Sequence, residues 1–308
     1  MKTGDHRGDG MMMREGQPRL GFRARLRRGW NITKLGIHVV RADPELMVYT
    51  FLSGLFSIGA AIFLLAATGA MGFFTGGEEG IESGMYVGMF LTYMVVGMIT
   101  VFWNAAIIAS AYERLTTGTN PSFSYGIKEA AKRLPAILMW GLISGTVGLI
   151  VGLLEGMAQS DNPVIAIIGS IVRFFVQVAW WMTTFFVVPM LVLEGLQVGE
   201  SMRRSPELFK QTWGEDIVST GGTGVVNFLV IMLVVLICMP LLYLAVATEP
   251  TGPYAHLGPG LALALMFIGV GLSVLFFTAC EAVNRASLYY YAKTGEAPPL
   301  AQKHGLDF

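Results

Sequence analysis

Few side chains in this sequence are able to do chemistry, and most of them lie inside apolar runs. Arg173 is the one basic residue well within such a run. An arginine facing lipid at the centre of a bilayer costs about 2.5–3.5 kcal/mol or more, so Arg173 is expected to face other helices. Ser170, Arg173, Gln177, Trp180 and Thr184 recur at three-and-four spacing, which puts them on one face of a helix. Such a stripe suits an interhelical hydrogen-bond network, or a site for an anionic ligand or lipid headgroup. Glu155 is within snorkelling reach as a partner.

Glu281 and Arg285 lie four apart, the spacing at which helical charges pair. Glu194 ends another run at similar depth. The two carboxylates could serve a proton or ion path, with interfacial ion pairs as the plainer reading. Asn104 and Asn227 add amides to two further runs. Arg173, Gln177, Thr184, Asn104, Asn227, Glu281 and Arg285 together make the candidate intramembrane polar site.

Other chemistries find little support. His6, His38, His256 and His304 all fall outside the apolar runs, without zinc-protease spacing. Cys238 and Cys280 have no partner at metal-ligand or redox spacing and read as small buried hydrophobes. No nucleophile–base constellation is readable. The expectation is a non-catalytic protein with no metal and no cofactor. A pocket gathering Glu194, Glu281 and a histidine would revive an enzyme reading.

The elements that must position these residues follow from composition. The chain has 308 residues, 54% hydrophobic and 14% charged, with mean hydropathy +0.59. Soluble domains carry about 25% charged residues, so this chain needs lipid as part of its solvent. A bilayer core about 30 Å thick asks for roughly 20 apolar residues per helix. Runs at about 46–74, 84–110, 135–156, 164–194, 218–247 and 259–291 qualify. The fourth and sixth exceed the requirement, and Pro189 and Pro240 are the expected kink points.

Lys and Arg set the orientation. Loops 75–83, 157–163 and 248–258 contain none, whereas every basic residue except Arg173 falls on the opposite side. This asymmetry predicts six spans with both termini cytoplasmic, the first span acting as an uncleaved anchor. Asn31-Ile32-Thr33 then lies on the wrong side for glycosylation.

Three amphipathic stretches precede spans on the basic side. They are about 30–42 (Trp30, Leu35, Val39, Val40), about 122–134 (Phe123, Ile127, Ala130, Ala131, Leu134) and about 199–213 (Met202, Leu208, Phe209, Trp213). Their basic remainder suits helices in the interface plane. The similarity of Arg41-Ala42-Asp43-Pro44-Glu45-Leu46 to Arg203-Arg204-Ser205-Pro206-Glu207-Leu208 suggests a repeat of amphipathic helix and span. Gly141, Gly145, Gly148 and Gly152 form one stripe, and Gly84 and Gly88 begin another, spaced for close helix approach.

Several segments carry a resemblance. They include Tyr125-Gly126-Ile127-Lys128-Glu129-Ala130-Ala131-Lys132-Arg133-Leu134-Pro135, then Val188-Pro189 with Leu193-Glu194-Gly195, and Ala286-Ser287-Leu288-Tyr289-Tyr290-Tyr291-Ala292-Lys293-Thr294-Gly295. Over about residues 29–297 the chain resembles an uncharacterised prokaryotic six-helix membrane family, DUF6159-like. More loosely it is similar to the membrane domain of some glycerophosphoryl diester phosphodiesterases. The resemblance implies a fold and a membrane location, and no activity. Pro206 departs from the unbroken helix it implies, so that helix is expected to start at Ser205 or to kink there.

The reading is therefore an all-α polytopic bundle of six transmembrane helices with cytoplasmic interfacial amphipathic helices. Residues 1–28 form a disordered basic segment, 29–297 the membrane domain and 298–308 a short tail. The expected location is the cell membrane. The expected partners are the bilayer, its anionic headgroups, and a membrane protein or a second copy, with no nucleic acid. The expected role is a scaffold or accessory that organises partners or lipid. The alternative is a transporter or lipid-handling protein built on the Arg173 stripe.

Overall fold

The computed structural model describes residues 22–247 and 257–306. His6, His256 and most of the basic N-terminal segment lie outside them. Helix α1 spans Phe22–Ala42, so it begins inside the segment expected to be disordered. Helix α2, Glu45–Thr117, folds into two limbs, Glu45–Gly77 and Glu79–Thr117. Helices α3 (Phe123–Lys132), α4 (Leu134–Ala158) and α5 (Pro163–Thr184) follow. A short α6 at Val187–Pro189 runs into a π-helical turn, Met190–Glu194. Helices α7 (Val198–Ala247), α8 (Leu257–Thr294) and α9 (Pro299–Lys303) complete the chain, and no strand occurs among the described residues.

Among the described residues six helical segments are long and apolar enough to cross a membrane, and each contains one of the expected runs. The chain is a multi-pass membrane protein. The first reversal needs almost no loop. Gly77 turns at φ 63°, ψ −137°, a conformation that residues with a Cβ rarely adopt. The limbs then touch backbone to backbone, where a Cβ on Gly84 would strike the Thr68 carbonyl and one on Gly72 the Gly80 carbonyl.

Prolines act unequally. Pro189 has no N–H for the Phe185 carbonyl, and the helix breaks at Phe185–Phe186. The freed N–H of Phe186 donates to Ser205 Oγ at 3.1 Å. Pro206 and Pro240, by contrast, lie within the uninterrupted α7. The third amphipathic stretch thus starts at Val198 rather than Ser205 and merges with its span. The first is separated from its span at Asp43–Pro44, so the suggested repeat differs in its joints.

The packed core sits at one end, here called basal, where α1, α3, the π turn and α9 meet the ends of α2, α7 and α8. The other end, reached by Gly77 and the α4–α5 turn, is distal. In three spans only 6% of the most apolar stretch is buried by protein. Lipid tails are as apolar as leucine, so nothing drives these faces together.

The apolar faces of the amphipathic helices are covered mainly by this core. Leu35, Val39 and Val40 are fully buried, and such a side chain withdrawn from water contributes about 1.5–3 kcal/mol. Trp30, Ala131 and Leu134 are corrections, since all three are exposed. Trp30 is exposed although the edge of its ring lies against Gly222 of α7. Over 199–213 the most buried positions are Ser201, Ser205, Phe209 and Thr212 rather than Met202 and Leu208. Small hydroxyl residues let the π turn approach closely. The Trp213 side chain lies outside the described residues.

Candidate functional site

The candidate polar residues do not converge. At the distal end Arg173 Nη1 pairs with Glu155 Oε1 at 3.2 Å, both side chains partly exposed. Gly169 brings α5 against Met157 and Ala158 of α4, and Trp180 stacks on Trp140 with centroids 5.5 Å apart. Gln177 and Ser170 point away from this contact and are exposed. Thr184 donates to its own helix, at the Trp180 carbonyl. The stripe along α5 is therefore divided between a helix contact and open surface.

Asn227 accepts from Ser273 Oγ at 2.7 Å, joining α7 to α8. Asn104 Oδ1, on the second limb of α2, is buried with no partner among the described residues. Glu281 and Arg285 line a small cavity with Phe185, Thr220, Asn284 and Leu288. The Arg285 guanidinium lies 5.2 Å from the Phe185 ring centroid, within cation–π range. Glu194 belongs elsewhere. It accepts from Tyr289 Oη and pairs with Lys293 at 3.0 Å. Glu281 and Tyr289 are about 12 Å apart in helix rise. Glu194, Glu281 and a histidine do not share a pocket, and no group of three metal-ligating side chains occurs among the described residues.

Two basal clusters were not legible as sites. In the first, Asn284 of α8 is 3% exposed. With its amide oriented to satisfy both ends, Nδ2 donates to the carbonyls of Ile32 (2.8 Å) and Cys280 (3.3 Å), and Oδ1 accepts from Thr223 Oγ1 at 2.8 Å. Thr33 Oγ1 meets the Ser219 carbonyl at 3.2 Å. These bonds tie α1 to α7 and α8, and Gly36 admits the Asn284 amide where a Cβ would collide. The run Ser201, Ser205, Thr212, Ser219 and Thr223 carried the signal, a small-hydroxyl stripe along α7.

The second cluster closes the joint between α1 and α2. Asp43 pairs with Arg114 at 3.0 Å, and Arg114 also donates to Asn120. The His38 ring lies 4.3 Å from that of His304. Burial, then the charges of His304 and Arg114, hold the His38 pKa below its usual value. On α3, Tyr125 donates to Glu113 at 3.2 Å. Burial, then that carboxylate, push its phenol up to about 12.

A sizeable cavity lies within the membrane half. It is a groove of about 590 Å³ whose floor is the second limb of α2 near Gly97. Its walls are Ser57 and Ala61 of the first limb, and Ser144 and Gly148 of α4. Gly141 and Gly145 seat α4 directly on Met98 and Met94, as the glycine stripe predicted. Gly148 and Gly152 depart from that expectation. Gly148 has only Tyr93 Cδ1 near, at 3.9 Å, and Gly152 has nothing within 4 Å. The Ser57 and Thr92 hydroxyl oxygens are shielded, with no hydrogen-bond partner among the described residues, so the groove presents carbon.

No curated protein matches the chain, and the looser likeness to phosphodiesterase membrane domains gains no support. A family model described as "Family of unknown function (DUF6159)" matches residues 83–298. The match runs from the second limb of α2 to the start of the C-terminal tail, leaving out α1 and the first limb. The chain belongs to this family of unknown function, DUF6159.

Proposed function

We propose that the protein is a non-catalytic component of the cell membrane that organises lipid or a membrane partner, with its basal end in the cytoplasm. The contrast between its two halves carries this reading. The basal end is dry and fixed by buried hydrogen bonds and an ion pair, whereas the spans give most of their apolar surface to the bilayer. That architecture suits a rigid base holding a lipid-facing array. The Lys and Arg asymmetry supports the orientation, and the basic flank of α1 suits anionic headgroups at about 1 kcal/mol per residue. The candidate polar residues occupy separate helix pairs, which favours holding over conducting.

The reading is tested by extracting the full chain from its native membrane in mild detergent. A protein or lipid recovered in stoichiometric amount is the expected result. Repeated recovery of the bare chain overturns it. Orientation is read separately, with an impermeant maleimide on intact cells carrying Asp161→Cys or Lys303→Cys. Only the first is expected to label, and labelling of the second alone reverses the topology.

A further inference from the structure

The groove beside Gly148 lies at hydrocarbon depth. From Leu134 to Gly148 the α4 helix rises about 21 Å, inside a bilayer core of roughly 30 Å. Its volume of about 590 Å³ falls within the ordinary range of ligand sites. The space exists because Gly97 and Gly145 close α4 onto the second limb while the first limb stands away. Its surface is almost entirely carbon, and the hydroxyl oxygens of Ser57 and Thr92 are shielded. An acyl chain has the chemistry and the depth to fill it.

The distal end says which leaflet that chain comes from. Glu155 lies seven residues beyond Gly148, on the same face of α4 and about 10 Å further along. It holds Arg173 there. Residues 46–110, 135–202 and 211–284 contain no other Lys or Arg. A phosphate in the distal leaflet therefore has one cation to meet. Arg173 gives Nη1 to Glu155 while a third of its side chain stays exposed, and its shielded Nε has no partner among the described residues.

We infer that the groove between α2 and α4 retains one acyl chain of a distal-leaflet phospholipid whose phosphate is met by Arg173. The inference rests on the lipid-organising reading but is separable from it. A protein partner could be recovered while the groove holds nothing.

The test uses the full chain, delipidated in mild detergent, given phosphatidylglycerol or the matching diacylglycerol, and weighed intact by native mass spectrometry. The wild type is expected to retain one phosphatidylglycerol. Gly148→Phe fills the groove and should lower retention at least tenfold. Ala61→Leu, on the opposite wall, reads the same effect if Gly148→Phe fails to fold. Gly271→Phe, in open space on α8 and away from the lining, should retain lipid as the wild type does. Arg173→Gln should weaken phosphatidylglycerol and leave diacylglycerol unchanged. Retention lost equally in Gly271→Phe, or unchanged in Gly148→Phe and Ala61→Leu, means annular lipid only and overturns the inference. Equal loss of both lipids in Arg173→Gln overturns the phosphate contact.

Discussion

Asp43 and Arg114, separated by 71 positions in sequence, meet at 3.0 Å, with Asp43 only 3% and Arg114 14% exposed. The pair closes the corner where α1 hands over to α2 and holds it to the basal end of the second limb. Removing one member of a buried pair leaves the other charge uncompensated, which costs about 3–5 kcal/mol. Arg114→Ala is therefore expected to lower the thermal unfolding midpoint in detergent sharply. Asp43→Leu combined with Arg114→Met should recover much of that loss. A single variant as stable as the wild type would contradict the role given to this pair.

His38 should add a small acid sensitivity to the base, small because the residue is exposed to solvent. Its folded pKa lies below the ordinary 6.5 because of burial, His304 and Arg114. A lowered base pKa means the unfolded chain binds the proton more tightly. The stabilising contribution is thus complete above pH 6.5 and is lost as pH falls toward the folded value. The other groups at this contact are His304 just after α9, Arg114 of α2 and its partner Asp43. Melting followed from pH 7.5 to 5 should show stability falling, and less steeply in His38→Gln. An identical slope in the variant removes His38 from the account.

Gly36 is the point where α1 comes closest to α8. A methyl there would overlap the Asn284 amide and approach the Cys280 carbonyl at 3.0 Å. Overpacking of this kind costs about 1–3 kcal/mol. Because the strain falls on the docking of α1, Gly36→Ala should speed tryptic cleavage near Arg27 and Arg28 before the spans unfold. Cleavage at the wild-type rate would show that α1 docking does not depend on this contact.

Tyr49 holds α3 to α2. Its hydroxyl donates to the Phe123 carbonyl at 2.6 Å and meets Ser110 Oγ at 3.0 Å, and its ring stacks on Phe123. Tyr49→Phe keeps the ring but leaves the Phe123 carbonyl without this donor, a loss of about 1–3 kcal/mol. Hydrogen exchange should quicken in α3 ahead of α4. Unchanged protection in α3 would assign its docking to apolar packing alone.

Arg173 should matter little to stability. Its side chain and that of Glu155 are 33% and 45% exposed, and exposed pairs contribute about 0–1 kcal/mol. A double-mutant cycle on Arg173→Gln and Glu155→Gln is expected to give a coupling within that range. A coupling of several kcal/mol would make the pair a structural tie instead.

The six spans were legible because the requirement for each is local. A run of apolar residues long enough for the bilayer needs no knowledge of its neighbours, and all six runs recur in the folded chain. The Arg173–Glu155 pair was legible for a similar reason, since the α4–α5 turn is short and one cation had few acids to meet. The π turn and the unbroken passage of Pro206 were not legible. Both flank the contact of Ser205 with Phe186, which joins two separate elements.

What the sequence decided alone is which stretches leave water, through hydropathy summed along each run. What only the tertiary structure decided is which polar groups meet. Glu194 went to Tyr289 and Lys293, Asn284 to α1, and Asp43 to Arg114. A buried polar group must find a partner wherever the packing of helices puts one. That position is set by close approaches such as Gly36 on Asn284, which no spacing within a single helix encodes.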